Sequence, residues 1–248
     1  MFNVPPVVAA TIGALGLVHL VRALLLGPRA DIQFLLLFAF IPARYDPSQL
    51  TQGLVPGGWG ADIWTFFTYA LIHGDLTHLS LNAVWLLAFG SAVARRFGAW
   101  RFLAFFAITA AAGAGAHLLT HMGEFWPMVG ASAAISGFMA AAIRFIFQAG
   151  GPLGALRGDR EGSYSQPAAP LSVTLRDGRV LAFLAVWFGL NMLFGLGSIS
   201  LSDGELSIAW EAHIGGFLAG LLLFPWFDPV AGHTGARQDD AGAEAAPR

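Results

Sequence analysis

Residues 208–227 read IAWEAHIGGFLAGLLLFPWF, twenty positions with a single formal charge, at Glu211. About twenty consecutive apolar residues are what an α-helix needs to cross the hydrocarbon core of a bilayer. The stretch is therefore a candidate spanning helix. Gly216 and Gly220 form a G-x-x-x-G face that lets a neighbouring helix approach closely. His213 lies three residues before Gly216, on or near that same face. A histidine inside a membrane is costly, so it marks either a packing hydrogen bond, a proton relay or a functional site.

The rest of the chain has the same character. Its 248 residues are 56% hydrophobic and 11% charged, against about 25% charged in an ordinary soluble domain. The mean hydropathy is +0.65. These values identify an integral membrane protein and exclude a disordered chain. There is no cysteine, so disulfide scaffolds, thiolate catalysis and thiolate metal sites are excluded. Every basic residue is arginine, which removes lysine Schiff bases and Ser–Lys pairs. A net charge of -2 gives a nucleic-acid partner no support.

Five further apolar stretches stand at 7–27, 72–93, 100–121, 129–148 and 179–198. The first lacks the basic start and small-residue cleavage site of a signal peptide, and reads as an uncleaved span. The shorter run from Phe34 to Ile41 lies in a connection broken by Pro42, Pro47, Pro56 and Gly57-Gly58. Trp59 and Trp64 there suit a membrane interface, so the first loop is expected to be partly embedded. With the N-terminus inside, ten arginines fall on the cytoplasmic side, and only Arg29 and Arg44 fall clearly outside. That is a strong positive-inside bias, and it places both termini in the cytoplasm. The expected organisation is a six-helix all-α membrane domain over 1–228 and a short, disordered polar tail over 229–248. With no cleavable targeting segment and no extra helix read, a bacterial plasma (inner) membrane is the expected location.

Polar residues within the spans are where function should be sought. They are His78 and Asn82 in the second stretch, Ser132 in the fourth, Asn191 in the fifth and His213 in the sixth. With this topology all five fall in the outer half of the membrane, roughly 5–12 Å deep for four of them at 1.5 Å per residue. His78 and Asn82 stand at i and i+4 and share a helix face. They make a weak metal pair, and helix packing explains them equally well. Ser132 sits in G-A-S-A-A-I-S-G, where small residues commonly mean close packing. Gly130, however, lets the backbone approach a substrate carbonyl, and a helix N-terminus there favours a developing oxyanion. A serine needs a base to become a nucleophile, and neutral His213 is the available one. Neither Glu211 nor Asp75 is placed to be a third, carboxylate member.

These residues resemble the rhomboid intramembrane serine proteases. The resemblance covers about 70–227 and rests on H-x-x-x-N (His78, Asn82), G-x-S (Gly130, Ser132) and A-H-x-G-G-x-x-x-G (His213, Gly216, Gly220), in that order. It implies Ser132 as nucleophile and His213 as general base. It implies an oxyanion hole formed by His78, Asn82 and the backbone N–H of Ser132, with no metal or other cofactor. Its implied partners are the lipid bilayer and transmembrane protein substrates, cut near the outer face at small residues. Those substrates would enter between the second and fifth spans, near Trp85.

Four departures accompany the resemblance. Ala133 replaces the glycine after the nucleophile, and the extra methyl tightens that loop. Ser136 stands where an aromatic often stacks on the histidine. Ala94 replaces the glutamate of E-x-R-x-G, although Arg96 and Gly98 remain. The W-R pair of the first loop is missing. Two other readings stay open at this point: a rhomboid-like protein that binds transmembrane helices without cutting them, and a small transporter using His78, Asn191 and His213. Retention of Ser132 and His213 disfavours the first. The apolar inner halves of the second, fourth and sixth stretches disfavour the second.

Overall fold

The computed structural model describes residues 4–50, 56–153, 162–195 and 209–230. Among them the chain is helical, and the only extended pairing is an isolated bridge between Phe40 and Met128. The longer helices are α1 (Pro6–Leu25), α2 (Pro28–Phe38), α3 (Gly58–Thr68), α4 (Leu76–Phe97), α5 (Ala99–His121), α6 (Ser132–Ile143), α7 (Gly178–Gly195) and α8 (Trp210–Phe227). Of these, α1, α4 and α5 are long and apolar enough to cross a membrane. The tail beyond 230, the stretch 196–208, and Arg157, Arg160, Arg237 and Arg248 of the charge argument lie outside the described residues.

Helix ends follow local chemistry. The stretch expected from 72 starts its helix only at Leu76, because the Asp75 carboxylate accepts the His78 backbone N–H at 2.8 Å and caps the first turn. A wide turn at Leu86–Gly90 interrupts α4. The stretch expected over 129–148 shortens to the twelve residues of α6. Gly130, with φ of +123°, prevents the helix from starting earlier. At the other end, tight bonds from the Arg144 and Phe145 N–H groups to Ala141 and Ala142 close it.

The core lies where α5, α6 and α8 meet. Phe102 stacks on Phe138 at 4.5 Å, and Phe97, Phe105, Phe145 and Phe224 pack around them, all buried. Arg96, in the last turn of α4, is buried within this aromatic end. Its guanidinium pairs both oxygens of Asp228 at 2.9 and 2.7 Å and donates to the Tyr164 and Gln166 carbonyls at 2.8 Å. It also lies over the Phe145 ring at 4.8 Å.

The first loop folds back on itself. Buried Arg44 donates to the Pro56 and Leu36 carbonyls at 2.8 and 2.6 Å, and the Trp64 indole donates to the Leu37 carbonyl at 2.8 Å. Trp59, Ile63 and Phe67 remain exposed on α3, an apolar surface that suits lipid contact.

Candidate active site

Close approach of α8 to α6 assembles the site. A Cβ built on Gly216 would overlap the Ala133 backbone, and one on Gly220 would overlap the backbone of Gly137. Only glycine allows this separation. It puts His213, one turn before Gly216, beside Ser132 at the first position of α6. The loop into Ser132 is fixed as well: the Gly130 N–H donates to the Tyr69 carbonyl at 3.0 Å, and the Tyr69 hydroxyl donates to the Ala110 carbonyl at 2.8 Å.

Ser132 Oγ lies 2.7 Å from His213 Nε2. On the far side of the ring, His213 Nδ1 lies 2.5 Å from Asn191 Oδ1. The tautomer follows from this arrangement. Asn191 Nδ2 is committed as donor to the Trp187 carbonyl at 2.8 Å, so Oδ1 is the atom that faces the imidazole. An amide oxygen only accepts. Nδ1 therefore carries the proton, and Nε2 is left as acceptor for the serine hydroxyl.

His78 converges on the same place. A Cβ on Gly130 would come within 2.7 Å of His78 Nε2 and 3.7 Å of Ser132 Oγ, so ring and hydroxyl border one small space that a side chain would fill. Asn82 is buried on the same face of α4, and its amide donates to the His78 carbonyl at 2.9 Å. The first backbone N–H groups of α6 have no acceptor within their own helix, and Ser132 at its first position stands at the positive end of the helix dipole. Ser132, His78 and His213 are each only partly buried.

A family model described as the rhomboid domain matches residues 60–227. The chain belongs to the rhomboid family. Rhomboid protease GlpG from Pectobacterium atrosepticum (strain SCRI 1043) is 25% identical over 171 residues, which are 68% of this chain and 50% of that protein. The chain thus matches about half the length of that relative. Membership and the apolar helices make this rhomboid an integral membrane protein.

Three of the departures have local counterparts in this rhomboid. The Ala133 methyl faces Gly113 of α5, where a Cβ would stand 2.5 Å from it, so a glycine on the opposite helix makes the room. Ser136 donates to the Ser132 carbonyl at 2.8 Å and stacks on nothing; Asn191 is what orients His213 instead. With alanine at 94, Arg96 finds its carboxylate at Asp228. The sequence had marked Asn191 as an outer-leaflet polar residue, but it gave no sign that Asn191 faces His213.

Proposed function

We propose that this rhomboid is an intramembrane serine endopeptidase that cuts transmembrane segments of other membrane proteins, with Ser132 as nucleophile and His213 as base. The observation that carries the reading is the line Ser132 Oγ, His213 Nε2, His213 Nδ1, Asn191 Oδ1, with contacts of 2.7 and 2.5 Å.

In this reading His213 Nε2 takes the Ser132 proton as Oγ attacks the scissile carbonyl. The carbonyl oxygen gains the charge and is met by the N–H groups at the start of α6, by His78 and by the second amide hydrogen of Asn82. Each such donor is worth about 3–4 kcal/mol in soluble hydrolases. The imidazolium then gives its proton to the leaving amine as the C–N bond breaks. Water, deprotonated by the same Nε2, attacks the acyl-enzyme ester, and the proton returns to Ser132 as the acid leaves. Nδ1 keeps its proton throughout, held by Asn191. No metal or organic cofactor takes part.

The short α6 supports chemistry below the membrane surface. Its twelve residues rise about 18 Å, well short of a hydrocarbon core of about 30 Å. A helix of that length rooted at the inner face leaves its first residue, Ser132, submerged under the outer face. Substrate access between α4 and α7 fits the aromatic contact there. Trp85 stacks on Phe89 at 5.7 Å, and Phe89 meets Phe183 of α7 at 5.5 Å. The arginine distribution supports cytoplasmic termini.

A fluorophosphonate probe, which phosphonylates an activated serine hydroxyl, tests the reading. The wild-type protein should be labelled at Ser132, and His213→Ala should abolish labelling. Absence of labelling in the wild type, or labelling that persists in His213→Ala, would refute the assignment.

A further inference from the structure

Beside the catalytic line, but separate from it, lies a second cluster of ligating side chains. His117 and His121 stand at i and i+4 on the last turns of α5, and Glu211 stands in the first turn of α8. One ring nitrogen of each histidine and one Glu211 carboxylate oxygen lie within 4.8 Å of one another. We propose that His117, His121 and Glu211 form a binding site for a divalent transition metal ion of the zinc class, tying the outer end of α5 to the start of α8.

The groups converge without satisfying each other. His121 Nε2 and Glu211 Oε1 are 4.0 Å apart, beyond hydrogen-bond length. The two imidazoles stack at 4.1 Å. His117 is 8% exposed, and its Nδ1 is buried with no hydrogen-bond partner among the described residues. Donors bound tetrahedrally at zinc lengths sit about 3.3 Å from one another, so modest rotation of these side chains closes the set on an ion.

The surroundings are those of a ligating histidine. His121 Nδ1 is engaged by Thr120 Oγ1 at 2.7 Å and faces the His117 carbonyl at 3.3 Å. Such a contact on one ring nitrogen orients the other toward a metal. Two imidazoles and one carboxylate select zinc, cobalt, nickel or copper over magnesium and calcium, which prefer all-oxygen shells. His121 and Glu211 keep 25% and 15% side-chain exposure, so an ion can enter from solvent. The expectation of no metal followed from the resemblance, whose motifs do not include this cluster. The i, i+4 histidine pair needs a third ligand, and the fold supplies it from a distant helix.

The inference does not depend on the proteolytic reading, and its test reads binding alone. Tag-free full-length protein, purified in detergent and stripped with chelator, is titrated calorimetrically with Zn2+ and with Mg2+. The wild type should bind one Zn2+ per chain, gain thermal stability on binding, and ignore Mg2+. His121→Ala and Glu211→Gln should each weaken Zn2+ binding by roughly 10–100-fold or more, since loss of an outer-shell partner alone costs that much. Both positions are partly exposed, and unchanged midpoints without metal check that the variants fold. Co2+ should give visible d–d bands in the wild type that both variants lose. Absence of saturable Zn2+ binding by the wild type, or wild-type affinity in either variant, would overturn the proposal.

Discussion

Asn191 touches the far side of the His213 ring and no part of the nucleophile, so its truncation isolates orientation from chemistry. Asn191→Ala removes the acceptor for Nδ1–H and frees the imidazole to adopt the other tautomer or to rotate. A loss of about 1.4 kcal/mol of transition-state stabilisation, within the range for a buried hydrogen bond, lowers kcat about tenfold. KM should stay near wild type, while the thermal midpoint should fall modestly, since a buried group left without its partner costs about 1–3 kcal/mol. Steady-state kinetics on a reconstituted substrate checks this, and an unchanged kcat would remove Asn191 from the account. Ser132, His213, His78 and Asn82 were legible in the sequence as site candidates because intramembrane polarity is expensive and their spacing resembled known motifs. The Asn191 contact was not, because no local pattern on α7 encodes which residue of α8 it meets. Asn82 is a partial case: its residue type and helix face were readable, and its bond to the His78 carbonyl was not.

At the scale of helices, glycines set the site. Gly216→Ala puts a methyl into the Ala133 backbone and should cost about 1–3 kcal/mol as overpacking, along with most of the activity, since α8 must move His213 away from Ser132. Gly113→Ala meets the Ala133 methyl and the Ala212 carbonyl and should be destabilising in the same range. Thermal unfolding in detergent, followed with activity at low temperature, measures both; wild-type stability in both variants would contradict the packing described for α5, α6 and α8. The G-x-x-x-G face was readable from spacing alone. The length of α6 was not: apolar composition runs from 129 to 148, but the positive φ of Gly130 and the tight turn at Arg144 set the ends. A hydropathy pattern reports where a segment is comfortable, whereas backbone geometry reports where the helix stops.

Across the whole molecule, the Arg96–Asp228 pair ties the end of α4 to the end of α8 and to the loop carrying Tyr164 and Gln166. Its side chains are 0% and 1% exposed. Asp228→Ala leaves a buried guanidinium without its counter-charge and should destabilise the protein by about 3–5 kcal/mol, read as a lower unfolding midpoint. A change below about 1 kcal/mol would mean that the pair is solvated and dispensable. The membrane class and the family were legible because composition and three separated motifs act over the full chain. The tertiary partners of Arg96 were hidden because a residue 132 positions away completes the pair. The central claim, proteolysis by Ser132 and His213, is tested most directly by incubating purified wild type, Ser132→Ala and His213→Ala with a single-span substrate in the same liposomes. The account predicts cleavage within the span by the wild type and by neither variant. Cleavage that survives Ser132→Ala, or its absence from the wild type across substrates with small residues near the outer face, would contradict it.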